Sequence, residues 1–178
     1  MQANKFKIPR LGFINKLDRQ GSGFQTTVDS IKRRLKVEPM LINIPSGETN
    51  QLRGIIDLPS FMHIEYLDDK GKRVNIEKID KGHAFFERAC NYRLKLIEQL
   101  ANYDEEIGDC FLQGVEPDEM DQDLIDRAIR KALESQKAVP LFCGSALKNK
   151  GIQPLLDAIV KYLPSPEKIE AIGIDNLT

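Results

Sequence analysis

An apolar run that leads through a polar loop into an amphipathic helix occurs twice in this chain, once near each end. The first is Leu11-Gly12-Phe13-Ile14, then a loop through Ser22, then a helix with Phe24, Val28, Ile31 and Leu35 at spacings of four, three and four. The second is Ala138-Val139-Pro140-Leu141-Phe142-Cys143, followed by the loop from Gly144 to Gly151. Its helix is expected to turn Ile152, Leu155, Leu156, Ile159, Val160 and Leu163 inward. Pro154 is tolerated in the first turn, and Pro164 and Pro166 stop the helix. Strand, loop and helix make half of a βαβ unit, and such buried-type strands belong to parallel sheets. The two ends are therefore expected to share one α/β sheet, although 126 residues separate Asp18 from Ser145.

The intervening residues have a different texture. Met40 to Ile44 and Arg53 to Leu58 read as strands, and Phe61 to Leu67 and Lys72 to Ile79 flank the turn Asp68-Asp69-Lys70-Gly71 as a hairpin. Helices are expected at about 83–102, 104–112 and 121–136. Strands in a run followed by helices in a run describe an α+β unit. The expected division is an α/β part at 1–36, an inserted α+β subdomain at 37–136, a returning α/β part at 137–166, and a linker or tail at 167–178.

Composition narrows the function classes. The 178 residues carry 26 basic and 27 acidic side chains, which argues against a general nucleic-acid binder. No apolar run approaches the ~20 residues needed to span a bilayer, so no membrane partner is expected. Cys90, Cys110 and Cys143 form no close pair and read as reduced thiols of an intracellular protein. His63 and His83 add no zinc-ligand spacing, so no metal site is expected, and no Cys–His nucleophile motif is recognisable. No signal or transit peptide is visible. Charge is uneven: residues 1–36 carry nine Lys/Arg against Asp18 and Asp29, and residues 104–126 carry ten Asp/Glu and no Lys/Arg. The acidic stretch reads as a solvated helix–turn–helix surface or as a docking face for a basic partner.

The chemistry lies in the two loops that follow the α/β strands. Asn15-Lys16-Leu17-Asp18 comes directly after the first. An ionised Asp only accepts hydrogen bonds, through two oxygens. Guanine presents two adjacent donors, N1–H and the 2-amino group, whereas adenine would face the carboxylate with an acceptor. Asn15 can bridge loops through its amide, and the Lys16 stem can lie flat on a base. After the second strand, Gly144-Ser145-Ala146-Leu147 offers a backbone N–H for guanine O6, and its small Ala lets a base approach. Loops at the carboxyl ends of parallel strands are where open α/β sheets bind ligands.

Phe13-Ile14-Asn15-Lys16-Leu17-Asp18-Arg19 and Cys143 through Gly151 resemble the base-reading motifs of the translational GTPases, most closely the elongation factor G family. Gln153 to Ala158, Tyr162 to Pro166 and Gly54-Ile55-Ile56-Asp57-Leu58 extend the resemblance over essentially the whole chain. It implies an α/β fold: the second half of a P-loop-type G domain carrying an inserted α+β subdomain. By the same resemblance Asp18 would read the guanine donors and Asn15 would tie the loop to the rest of the site. Lys16 and Leu147 would cover the faces of the base, Ser145 would brace the loop, and the Ala146 N–H would meet the carbonyl oxygen. The wording of the motifs looks most like mitochondrial or other organellar members, with a cytoplasmic setting implied for a bacterial one.

A phosphate-binding loop of the form Gly-x-x-x-x-Gly-Lys-Ser/Thr is not spelled here; the only Gly-Lys is Gly71-Lys72, followed by Arg73. The switch motifs of the family and the histidine that positions its water cannot be placed ahead of Asn15. Asp68-x-x-Gly71 mimics a switch spelling but sits inside the expected hairpin. The expectation is part of a ribosome-dependent GTPase that promotes translocation, using GTP or GDP with Mg²⁺, with no catalytic or metal-binding residue in this segment and no nucleotide held tightly by it. Ribosomal contacts, including the stalk protein, are implied by resemblance. The alternatives are an interaction module with no nucleotide, and a carboxylate-based hydrolase using acids from 104–126.

Overall fold

The computed structural model describes residues 8–47 and 52–165. The expected tail at 167–178 and the stop at Pro166 lie outside the described residues. Three strands, β1 (Gly12–Ile14), β2 (Glu38–Leu41) and β7 (Ala138–Cys143), form a parallel sheet in the order β1-β7-β2. Gly12, Phe13 and Ile14 stand opposite Leu141, Phe142 and Cys143, so the two chain ends do share one sheet. All six residues of β7 are buried. A central parallel strand covered on both faces is expected to read as an unbroken apolar run, as this one does.

Helix α1 (Phe24–Leu35) covers one face of that sheet: Val28, with Phe24 and Ile31, packs against Ile14, Val139 and Leu141. Lys32, Arg33 and Arg34 occupy its last turn, where the helix dipole favours cations, and Lys36 ends it in the left-handed conformation. Leu35, expected on the inner face, is exposed.

The other face carries α2 (Phe86–Leu100), α4 (Gln122–Glu134) and α5 (Ile152–Tyr162), whose apolar residues join Met40, Ile42, Ala138 and Phe142 in a larger core. Helix α3 (Glu105–Leu112) contributes Ile107. In α5 the inward positions are Leu155, Ala158 and Tyr162, whereas Leu156, Ile159 and Val160 are exposed. The helix is apolar on nearly every side, so periodicity alone did not mark its buried face.

The second sheet is an antiparallel meander in the order β3-β4-β5-β6, built from Asn43–Ser46, Gly54–Asp57, Met62–Tyr66 and Val74–Lys78. The strand expected over 40–44 is in fact two, parting at Ile42. The Ile42 N–H donates to Leu141 in the parallel sheet at 2.9 Å, and its carbonyl accepts from Leu58 in the meander at 3.0 Å. Next to it, buried Asn43 accepts the Cys143 N–H at 2.8 Å. The boundary between sheets therefore falls at Ile42 and not at residue 37, because residues 38–41 satisfy their backbone against β7. The core likewise runs without a break from α2 and α4 across β2 and β7 to α5.

The acidic stretch is largely helix-start chemistry. Asp104 and Asp121 cap α3 and α4, and Glu105, Glu106 and Asp123 sit in first turns, where anions suit the dipole. Asp126 is buried and accepts from Lys161 and Tyr162 of α5.

Candidate functional site

The β1–β7 register brings the Asn15–Asp18 loop and the Ser145–Lys150 loop to one sheet edge and stitches them together. The Gly144 N–H donates to Ile14 at 3.0 Å, and the Leu17 N–H returns a bond to Gly144 at 3.1 Å. Lys16 takes a positive φ of 67°, which turns the first loop while Leu17 stays buried beneath it. Asn15 accepts two backbone N–H groups on one oxygen: its neighbour Lys16 at 2.7 Å and Ala146 of the other loop at 2.9 Å.

The Ser145 hydroxyl beside Asp18 is the main cause of a carboxyl pKa below the usual value. Partial burial opposes it, and the charges of Lys148 and Arg19 add to it. Ser145 itself is buried and fixed by a two-way backbone bridge with Lys150, at 2.9 and 3.0 Å. Asp18 is therefore held as an ionised, acceptor-only group at the edge of the sheet. Lys16, Ala146 and Leu147 are exposed around it, Leu147 by 87%.

The tightness of the second loop explains its glycines. A Cβ on Gly144 would lie 2.1 Å from the Lys150 carbonyl oxygen, and one on Gly151 would lie 2.3 Å from that of Cys143. Gly151 also has a φ of 80°, a region that favours glycine.

Contacts from the meander support the two motifs, and sequence reasoning had given Tyr66 and Leu52 no part in them. The Gly151 N–H donates to the Tyr66 hydroxyl at 2.6 Å. Lys150, expected only as part of a positive loop, is buried; its ammonium donates to the Leu52 carbonyl at 3.1 Å and sits 5.6 Å from the centre of the Tyr66 ring. The Asp68–Gly71 turn backs onto Lys148 and Asn149, so that a Cβ on Gly71 would touch the carbonyl oxygens of both. It is a hairpin turn, with the Asp68 carboxylate accepting N–H groups from Lys70, Lys72 and Arg73. Beside Asp18 opens a polar cleft of about 640 Å³, lined by Arg53, Glu65, Asp68, Lys148 and Lys150 among others. Its size is that of a small-molecule pocket.

The two histidines also meet. His63 and His83 face the same Glu77 oxygen at 3.2 and 3.1 Å, a cluster that linear spacing had not suggested. No helix among the described residues is long and apolar enough to cross a membrane.

A parallel sheet with helices on both faces, and two interlocked polar loops at the carboxyl ends of adjacent strands, define a nucleotide-binding type of α/β domain. The family model of the elongation factor Tu GTP binding domain matches residues 1–165, and the chain belongs to that family. Elongation factor G of Rhodopseudomonas palustris (strain BisB18) is 41% identical over 176 residues, which is 98% of this chain and 25% of the relative. The chain thus spans about a quarter of that protein's length. A crystal structure of a protein from Thermus thermophilus shares the fold, with a TM-score of 0.73 at 22% identity over 92% of this chain and 23% of the other. The relative matched by sequence is bacterial, so the organellar likeness expected from the motif wording has no support there.

Proposed function

We propose that this chain reads the guanine base within a ribosome-dependent GTPase of the elongation factor G kind, which promotes translocation in protein synthesis. The observation that carries the reading is the pair of interlocked contacts, Asp18 with Ser145 and Asn15 with Ala146, which makes one acceptor surface from two loops. The Asp18 carboxylate takes guanine N1–H and the 2-amino group. Lys16 and Leu147 flank the ring, and Ser145 keeps Asp18 in place. The Ala146 N–H already has a partner in Asn15, so donation to guanine O6 exchanges one bond for another. Such an exchange adds little net affinity but rejects a base with a donor at that position.

GTP and GDP with Mg²⁺ are the proposed ligands of the whole GTPase, and the phosphate chemistry belongs to motifs not spelled in this sequence. This chain contributes no catalytic residue to it. The ribosome is the proposed partner, with the stalk protein a proposed contact of the inserted subdomain. The setting is the cytoplasm for a bacterial source and a mitochondrion or other organelle otherwise.

Two hydrogen bonds to a charged group, at ~1.5–3 kcal/mol each, barely exceed the ~4 kcal/mol of millimolar binding. The chain alone is therefore expected to bind GDP at millimolar strength at best. The decisive comparison is GDP against XDP on the full-length GTPase with Asp18 or with Asp18→Asn. Asparagine presents a donor to the 2-oxo group of xanthine, so the substitution should move preference from GDP to XDP. A variant that keeps GDP and still rejects XDP would remove Asp18 from base reading.

A further inference from the structure

We propose that His63, Glu77 and His83 form a binding site for a divalent transition-metal cation, best matched by zinc, on the outer hairpin of the meander. The backbone dictates the first pair: His63 and Glu77 are direct partners in the β5–β6 register. The turn after β6 supplies the third side chain. There the Asp80 carboxylate accepts the Gly82 N–H and the Asp80 carbonyl accepts the His83 N–H, both at 2.9 Å.

Ring nitrogens of both histidines lie against one Glu77 oxygen, Nδ1 of His63 at 3.2 Å and Nε2 of His83 at 3.1 Å. All three donor atoms fall within 4.8 Å of one another. Zinc bonds of about 2.0–2.1 Å in a tetrahedron set neighbouring donors roughly 3.3 Å apart. Two edges of that triangle are already near this length, and a small approach of the two rings closes the third. Imidazole and carboxylate together suit zinc better than magnesium or calcium, which prefer oxygen alone. Both rings are largely buried, packed with Phe85 at centroid distances of 5.0 and 5.6 Å, while Glu77 is 46% exposed. Three protein donors beneath an open side leave the fourth position to water.

The surroundings fit the tautomer that binding requires at His63 and resist it at His83. Without a cation, Nδ1 of His63 and Nε2 of His83 face the Glu77 carboxylate. With one, those nitrogens become ligands, and the proton of each neutral imidazole ligand sits on its far nitrogen. The new His63 Nε2–H meets the Ser46 hydroxyl 2.8 Å away, which can switch from donor to acceptor. A supporting contact of this kind orients metal-bound histidines generally. At His83 the shift sets Nδ1–H against the Phe85 N–H now donated to it at 3.1 Å, so that local contact has to open.

The test is calorimetric titration of the metal-free chain with Zn²⁺, with Co²⁺ absorption as a second readout, in a Cys90→Ser, Cys110→Ser background that removes the accessible thiols. One saturable site per chain is expected, weakened ~10-fold or more by each of His63→Gln, Glu77→Gln and His83→Gln. Nitrogen NMR of the unsubstituted rings guards against a variant that fails to fold: Zn²⁺ should shift His63 Nδ1 and His83 Nε2. The proposal is overturned by no saturable binding, by binding kept in all three folded variants, or by Zn²⁺ leaving both ring nitrogens unmoved.

Discussion

The side-chain oxygen of Asn15 accepts the backbone N–H of Ala146 at 2.9 Å across 131 positions of sequence. This bond makes the two loops one unit, because the same oxygen also holds the Lys16 N–H. Replacing Asn15 by Ala leaves both N–H groups to solvent. Each hydrogen bond is worth about 0.5–1.5 kcal/mol, so the Ala146 amide should exchange with deuterium roughly 3–10-fold faster. Amides at the centre of β7 should be unaffected. Unchanged exchange at Ala146 would show that the loops are held by something else.

Gly144→Ala tests how closely the second loop is packed. Its Cβ would meet a backbone carbonyl at 2.1 Å, which no rotamer relieves. A loss of about 2 kcal/mol or more is expected in urea unfolding, on the scale of overpacking and backbone strain. Gly114→Ala is the control: Gly114 has a φ of 72° but nothing within 4 Å of a Cβ, so only the left-handed penalty of ~1–2 kcal/mol applies.

Tyr66→Phe keeps the ring and deletes the oxygen that receives the Gly151 N–H. Leaving a buried donor unpaired should cost about 1–3 kcal/mol of stability. The loss should appear locally as well, as faster exchange of the Gly151 amide.

Asp104 links an N-cap to a charge. One carboxylate oxygen accepts from Glu106 and Ile107, and the other receives Lys131 at 2.6 Å. Burial opposes ionisation there, but Lys131 and the capped N–H groups prevail and hold the carboxyl below its usual pKa. A lowered carboxyl contributes stability that is full above the unfolded value, near ~4, and fades as pH falls through the folded one. Asp104→Ala should cost about 1–2 kcal/mol at neutral pH. The gap between variant and parent, followed by thermal unfolding, should narrow in acid.

The parts of the fold written in short-range chemistry were readable in advance. The runs at β1 and β7 and the Asp68 turn announce themselves through neighbours in sequence. Asn15, Asp18 and Ser145 stood out as candidates for the same reason, as polar residues soon after apolar strands, and the β1–β7 register brings their loops together. What stayed hidden depends on partners far along the chain. Met40 to Ile44 is apolar except at Asn43, and that one polar residue does not by itself say that the chain changes sheets at Ile42. Tyr66 and Lys150 look like an ordinary strand residue and an ordinary loop cation until the meander lies against the second loop. His63 and His83 are 20 positions apart, and only the β5–β6 register and the turn after it bring their rings to one carboxylate.

At Ile42 a single residue is a rung of two ladders, its N–H given to β7 and its C=O to the meander. A swivel of the meander about Ile42 would leave each of these bonds within its own sheet, but it would have to break the Asn43 contact to Cys143. The Asn43 bond and the shared apolar core therefore fasten the meander to the strand that ends at Cys143, two residues before Ser145. A load on the meander reaches the pocket edge directly, through the Tyr66 hydroxyl that holds the Gly151 N–H.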